Sequence, residues 1–223
     1  MIQPFKDMKK DIDPANGFDA SDLGRVNAFS DGVFAIIITL MVLDLKRPEA
    51  TTFSALGRLW ATWISYLVSY LFIAIVWINH HYLSRYAKQA TPRLIWANFG
   101  HLFSVALIPF LTAWMADTHL APVPVAMYAF VFFLVNLTYL VLVYETLSNT
   151  GDSSLSDKTR RLLHVRSLGT LLLFLTAMII AFWFPLIGFS IICCCLLLYL
   201  RPDVRHIQLL LHGPGKSFDR SSI

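Results

Sequence analysis

Hydrophobic positions in this chain fall in long blocks separated by short polar clusters, with no sustained alternation. The apolar blocks run at about 26–45, 55–79, 94–116, 123–144, 167–184 and 186–200. A helix needs about 20 apolar residues to cross a ~30 Å hydrocarbon core, and the first four blocks meet that length. The last two are short and share the turn Phe184-Pro185-Leu186-Ile187-Gly188, so they read as one long helix or as two short ones. The turns at 117–122 and 185–188 are tight, which makes the helices on either side of each antiparallel neighbours. The pattern predicts an all-α integral membrane protein without a separate domain of soluble size.

Charge chooses between five spans and six. With the N-terminus inside and six spans, the inside segments hold Lys6, Lys9, Lys10 and Arg25; Arg85, Lys88 and Arg93; Lys158, Arg160, Arg161 and Arg166; and Arg201, Arg205, Lys216 and Arg220. Of the 18 Lys and Arg, only Lys46, Arg47 and Arg58 are left outside. That bias is the one membrane insertion favours. Five spans would put the basic C-terminal segment outside. Six transmembrane helices with both termini cytosolic is therefore the expectation, divided as a cytosolic tail at 1–24, a membrane domain at 25–201 and a cytosolic tail at 202–223. No internal repeat is visible within the six spans.

Composition narrows the class further. Only 14% of the 223 residues are charged, against roughly a quarter in soluble domains. Residues 1–24 lack the apolar stretch of a secretory signal. The net charge of +4 follows from basic loops facing anionic lipid and calls for no nucleic-acid partner. Cys193, Cys194 and Cys195 adjoin on one helix, a poor disulfide framework, and read as small apolar filler with lipidation as the minor alternative. Ser156 is a suitable N-cap for a fifth helix that begins near Asp157. Trp60, Trp63 and Tyr82 sit at span ends, where aromatic side chains anchor at the interface.

The candidate chemistry lies inside the membrane. The first span opens Arg25-Val26-Asn27-Ala28-Phe29-Ser30-Asp31, and an ionisable residue at such depth is a functional candidate by default. The six-span topology puts Arg25, Ser30 and Asp31, then Trp77, Asn79, His80 and His81, then Trp96, Asn98 and His101, at similar depth in the inner leaflet. Asp31 lies about 9 Å along the helix from Arg25. A carboxylate buried in lipid needs partners, so these donors are expected to form a hydrogen-bonded cluster tying helix one to helices two and three.

Helix phase separates this motif from a second feature. At 100° per residue, Ser30 and Asp31 point roughly 120° and 140° away from Ile36. Phe29, Val33, Ile36, Leu40 and Leu43 share the opposite stripe. That stripe is a lipid-facing or packing seam, or it lines a symmetric pore in which aliphatic rings constrict the path and gate by dewetting.

Arg25, Phe29-Ser30-Asp31, the following Gly32-Val33-Phe34-Ala35-Ile36 and Thr39-Leu40 resemble the signature of the lysosomal potassium channel family named for transmembrane protein 175, its bacterial members above all. Trp77-Ile78-Asn79-His80-His81 is similar to the family's second-helix pattern, and Trp96-Ala97-Asn98 leading to Leu107-Ile108-Pro109-Phe110 to its third. Helices four to six match only in number, length and hydropathy. The resemblance implies six spans per chain, a single repeat, a homotetramer, and a central pore lined by the first helix without a carbonyl filter. It assigns the constriction to Ile36, with Leu40 and Leu43 as further rings and Thr39 beside them. It implies K⁺ as the permeant ion, preferred over Na⁺, no cofactor, no catalysis, and residence in the cell membrane.

Other readings stay open on the residues themselves. Asp31 is a brace or a proton-sensitive group, and with the inner-leaflet histidines it would suit a proton-coupled transporter. Transporters show inverted repeats and broken helices in matching halves, and neither is evident here. An intramembrane metalloenzyme would draw on His80, His81 and His101, yet adjacent helical residues point about 100° apart and no metal-ligand pair at helical spacing occurs. A purely structural scaffold leaves the charged intramembrane motif unexplained.

Overall fold

A computed structural model of the chain describes residues 20–148 and 157–199. They form eight helices: α1 (Ala20–Leu43), α2 (Phe53–Arg58), α3 (Trp60–Ser84), α4 (Pro92–Ala106), α5 (Ile108–Asp117), α6 (Pro122–Ser148), α7 (Asp157–Ala181) and α8 (Pro185–Tyr199). No strand occurs among the described residues. Four stretches are long and apolar enough to cross a membrane: Asp22–Leu43, Trp60–Ser84, Pro92–Asp117 and Pro122–Ser148. Ser167–Ala181 and Pro185–Leu197 are apolar but shorter. The fold is that of a multi-pass membrane protein. The expected tails, the Ser156 cap and most of the 146–163 connection lie outside the described residues.

The boundaries depart from the sequence reading in three places. The second span begins at Trp60, not near 55, because Thr52 starts a separate short helix by accepting Ala55 N–H on its Oγ1 at 3.2 Å. Arg58 therefore belongs to α2, and α3 runs on to Ser84, so His80 and His81 stand a full turn inside the helix. The third span is broken: α4 ends at Ala106 and α5 starts at Ile108. Pro109 has no N–H for the carbonyl four residues back, and Leu107 N–H turns to Ser104 O at 3.4 Å. The fifth and sixth apolar blocks are two helices, separated at 182–184. Gly188 lets them pack closely, since a Cβ there would lie 2.8 Å from both the Ala177 carbonyl oxygen and the Ala181 Cβ.

The turn from α5 into α6 closes with paired bonds, Leu120 N–H to Met115 O at 3.0 Å and His119 N–H to Ala116 O at 3.2 Å. This is the Schellman arrangement, which wants a left-handed residue after the helix. Here His119 adopts it with φ 51°, followed by Leu120 at φ 64°. Leu120 repays the strain by burying its side chain in the core beside Met115.

Between helices in lipid, packing and hydrogen bonds must supply what the hydrophobic effect supplies in water. The core is accordingly dense. Phe72 stacks on Phe132 at 3.6 Å, and Phe174 meets the Phe132 ring edge-on at 5.6 Å. A buried hydroxyl triad joins three helices: Ser69 Oγ lies 2.6 Å from Thr112 Oγ1 and 2.7 Å from Tyr128 Oη. Helix α1 stands apart from this pattern. It packs on α3, α4 and α5 through one narrow stripe, Ser30, Phe34, Ile37 and Met41. Only 22% of its span window is buried, against 44% in each of the other three spans. At its far end Lys46 Nζ lies 2.7 Å from Asp117 Oδ1.

Candidate functional site

Ser30 is the buried anchor of the signature motif. It is 0% exposed, and its hydroxyl donates to Val26 O one turn back at 2.9 Å. With its only proton spent, Ser30 Oγ accepts from elsewhere, and Asn98 Nδ2 on α4 donates to it at 2.9 Å. That bond fixes the amide's orientation and turns Asn98 Oδ1 toward α3, where His80 Nε2 lies at 2.8 Å. An amide oxygen only accepts, so His80 donates. The donors run one way, from His80 through Asn98 and Ser30 to the α1 backbone. Each member is buried and needs the next, because an unpaired buried polar group costs about 1–3 kcal/mol. Phe34 covers the His80 ring at 5.5 Å between centroids.

Asp31 takes a different place from the one expected. It is exposed on the single subunit, because a 100° step from the inward Ser30 carries it to the flank of α1. Its Oδ1 accepts the indole N–H of Trp77 at 2.9 Å. Trp77 stacks on His81 at 5.5 Å, and His81 Nε2 lies 3.4 Å from an Arg85 guanidinium nitrogen. The motif thus faces two ways, an interior relay at Ser30 and an edge contact at Asp31. Arg25 does not pair with Asp31; its guanidinium sits 4.0 Å from Asp22, with the side chain 86% exposed.

His101 belongs to the cluster through ring contact alone. Its ring lies parallel to that of His80, 6.1 Å between centroids, while Nδ1 lies 3.2 Å from Thr138 Oγ1 on α6. Phe29 and Trp96 both meet Phe99, at 5.4 and 6.3 Å. The sequence reading missed Phe99 and Thr138. Thr138 was detectable as one of few polar residues in the fourth apolar block, whereas Phe99 looked like any apolar residue. Among the described residues, no three His, Cys, Asp or Glu side chains gather as metal ligands would.

The aliphatic stripe lies on the unpartnered face. Ile36 is 58% exposed and Leu43 76%, with Phe29 and Leu40 similarly open and Val33 half-buried. Thr39 is exposed too, and its hydroxyl donates to Ala35 O at 2.9 Å and Ile36 O at 3.0 Å. Its lone pairs, not its proton, are what it offers outward.

An all-helical membrane bundle whose first helix is pinned by a polar relay on one side and bare along an aliphatic stripe on the other is built for assembly around that helix. Residues 25–109 match the family described as endosomal/lysosomal potassium channel TMEM175. A potassium channel of Chryseobacterium sp. (strain P1-3) is 32% identical over 184 residues, covering 82% of this chain and 94% of the relative. A potassium channel of Streptomyces collinus is 44% identical over 101 residues, covering 44% of this chain and 49% of that one. Among solved structures, a lysosomal potassium-selective channel TMEM175 homolog from Chamaesiphon minutus superposes with a TM-score of 0.66 at 26% identity, covering 83% of this chain and 98% of the other. The chain belongs to the TMEM175 family, a family of ion channels and not of enzymes.

Proposed function

We propose that this chain is one subunit of a homotetrameric cation channel of the cell membrane that passes K⁺ in preference to Na⁺. In this reading six helices cross the bilayer, both termini are cytosolic, and four copies of α1 surround a central pore. Lipid and three further copies of the chain are its partners, and no cofactor takes part.

The observation that carries the reading is the division of α1. Its buried stripe is narrow and hydrogen-bonded into the subunit, and its opposite face is a regular aliphatic row with nothing from the same chain against it. Ile36 then forms the tightest ring, with Leu40 and Leu43 as further rings. Aliphatic rings cannot replace a hydration shell with oxygen ligands, so they favour the ion that sheds water at least cost and close by dewetting. Thr39 supplies the one hydroxyl ring next to them, with lone pairs turned outward. Asp31 and Trp77 brace the helix from its flank.

The test is flux from liposomes loaded with a K⁺ gradient, measured with and without a proton ionophore. Flux that follows the K⁺ gradient, and a K⁺/Na⁺ permeability ratio altered by Ile36→Asn, is the expected result. Flux strictly coupled to protons, or a ratio indifferent to Ile36→Asn, would overturn the reading and return the stripe to a packing seam.

A further inference from the structure

A second polar site lies inside the subunit, away from α1. A cavity of ≈ 40 Å³ sits between α3, α4, α6, α7 and α8, and its polar lining comes from Asn79, His101, Asn136, Tyr139, Ser167 and Thr170. Two lining atoms have no hydrogen-bond partner within the protein, Asn79 Oδ1 and His101 Nε2. His101 is 0% exposed and Asn79 6%. Buried polar atoms of this kind are few in native proteins and each calls for an explanation.

The chemistry of the two atoms can be read from their surroundings. Thr138 Oγ1 directs its single proton to Leu134 O at 2.9 Å and Val135 O at 3.0 Å. It therefore accepts from His101 Nδ1 at 3.2 Å, which puts the proton of the neutral ring on Nδ1 and leaves Nε2 as a bare lone pair. Asn79 Oδ1 is an amide oxygen. The cavity thus receives two acceptors that the protein has left without donors, and its guest must donate.

We infer that this cavity is a resident water site, in which water molecules donate to Asn79 Oδ1 and His101 Nε2. A water occupies about 10–15 Å³ of volume measured in this way, so the space takes two or three. The site is polar and roomy enough to be wet, where an apolar void of similar size would stay dry. The hydrated pocket lies behind the His80–His101 ring pair, off the axis around which α1 would assemble.

The core supplies a dry reference. Tyr128 and Phe132 are as fully buried as His101, but Tyr128 is satisfied by Ser69 and Phe132 is stacked on Phe72. Radiolysis of bound water by a synchrotron pulse oxidises the side chains beside it, and mass spectrometry reads the sites. In the full-length protein His101 should be labelled about tenfold faster than Tyr128 and Phe132, since a resident water lies beside the first ring and none beside the others. Asn79→Leu, which removes one acceptor and fills space, should slow His101 labelling toward the dry reference. Labelling of the wild-type His101 no faster than Tyr128 would overturn the inference, and this comparison does not depend on any variant folding. Labelling that stays fast in a folded Asn79→Leu protein would overturn the role assigned to Asn79.

Discussion

Asn98 Nδ2 donates to Ser30 Oγ at 2.9 Å, joining two helices across 68 positions of sequence. The bond is buried, and both of its ends are committed elsewhere, Ser30 to its own helix and Asn98 to His80. The placement of α1 against the bundle rests on this junction more than on apolar contact, because α1 buries so little of itself.

Asn98→Ala should therefore destabilise the subunit well beyond the loss of one amide. The substitution strands the His80 N–H in the interior, at a cost of about 1–3 kcal/mol. Thermal unfolding in detergent should show a lowered Tm, and Asn98→Asp, which keeps an acceptor for His80, should recover part of it.

Trp77→Phe makes an instructive contrast. It removes the donor to Asp31, but Asp31 is exposed on the subunit and water or a headgroup can replace the indole. The stability loss should be about 1 kcal/mol or less, clearly smaller than for Asn98→Ala by the same measurement. An equal or larger loss would show that Asp31 is buried by a neighbouring copy in the assembled protein.

Gly188→Ala should damage the α7–α8 hairpin. The new methyl would meet a backbone carbonyl at 2.8 Å, and backbone yields less readily than a side chain. Overpacking of this kind costs about 1–3 kcal/mol. Ala181→Gly in the same protein should restore only part of the Tm, since it relieves one of the two contacts and leaves Ala177 O in place.

His119→Gly should stabilise the protein. His119 holds φ 51°, a conformation that costs an L-residue roughly 1 kcal/mol and costs glycine almost nothing. A Tm raised by the variant, with the bonds to Ala116 O and Met115 O intact, is the expected outcome; a lowered Tm would mean the imidazole itself holds the turn.

Much of this architecture could be read from the chain because bilayers impose simple rules. Span length named four helices, and 3.6-residue periodicity put Ser30 and Ile36 on different faces of α1 before any coordinates existed. What failed was finer than one turn. Asp31 was read as buried from its depth along the helix, yet depth does not decide facing, and one residue of rotation moved it to the flank. His101 was grouped with the motif by depth, but its Nδ1 turns to Thr138, on a helix whose rotation the pattern left undetermined. The break at Pro109 and the short α2 were written in Pro109 and Thr52, whose local effects lie hidden under a long apolar average.

The shortness of α7 and α8 in apolar terms bears on the lipid as much as on the protein. Their apolar stretches fall between 10 and 17 residues, at most about 26 Å of helix, whereas α1 offers a 22-residue stretch of about 33 Å. The two lie on different flanks, α1 against α3, α4 and α5, and α7 against α6 and α8. A hydrocarbon slab ~30 Å deep therefore matches the protein on one flank and overtops it on the other. Lipid next to the hairpin must thin or its chains must shorten, at a fraction of a kcal/mol per Å. The protein carries a built-in preference for thin bilayers, written in the unequal height of its own walls.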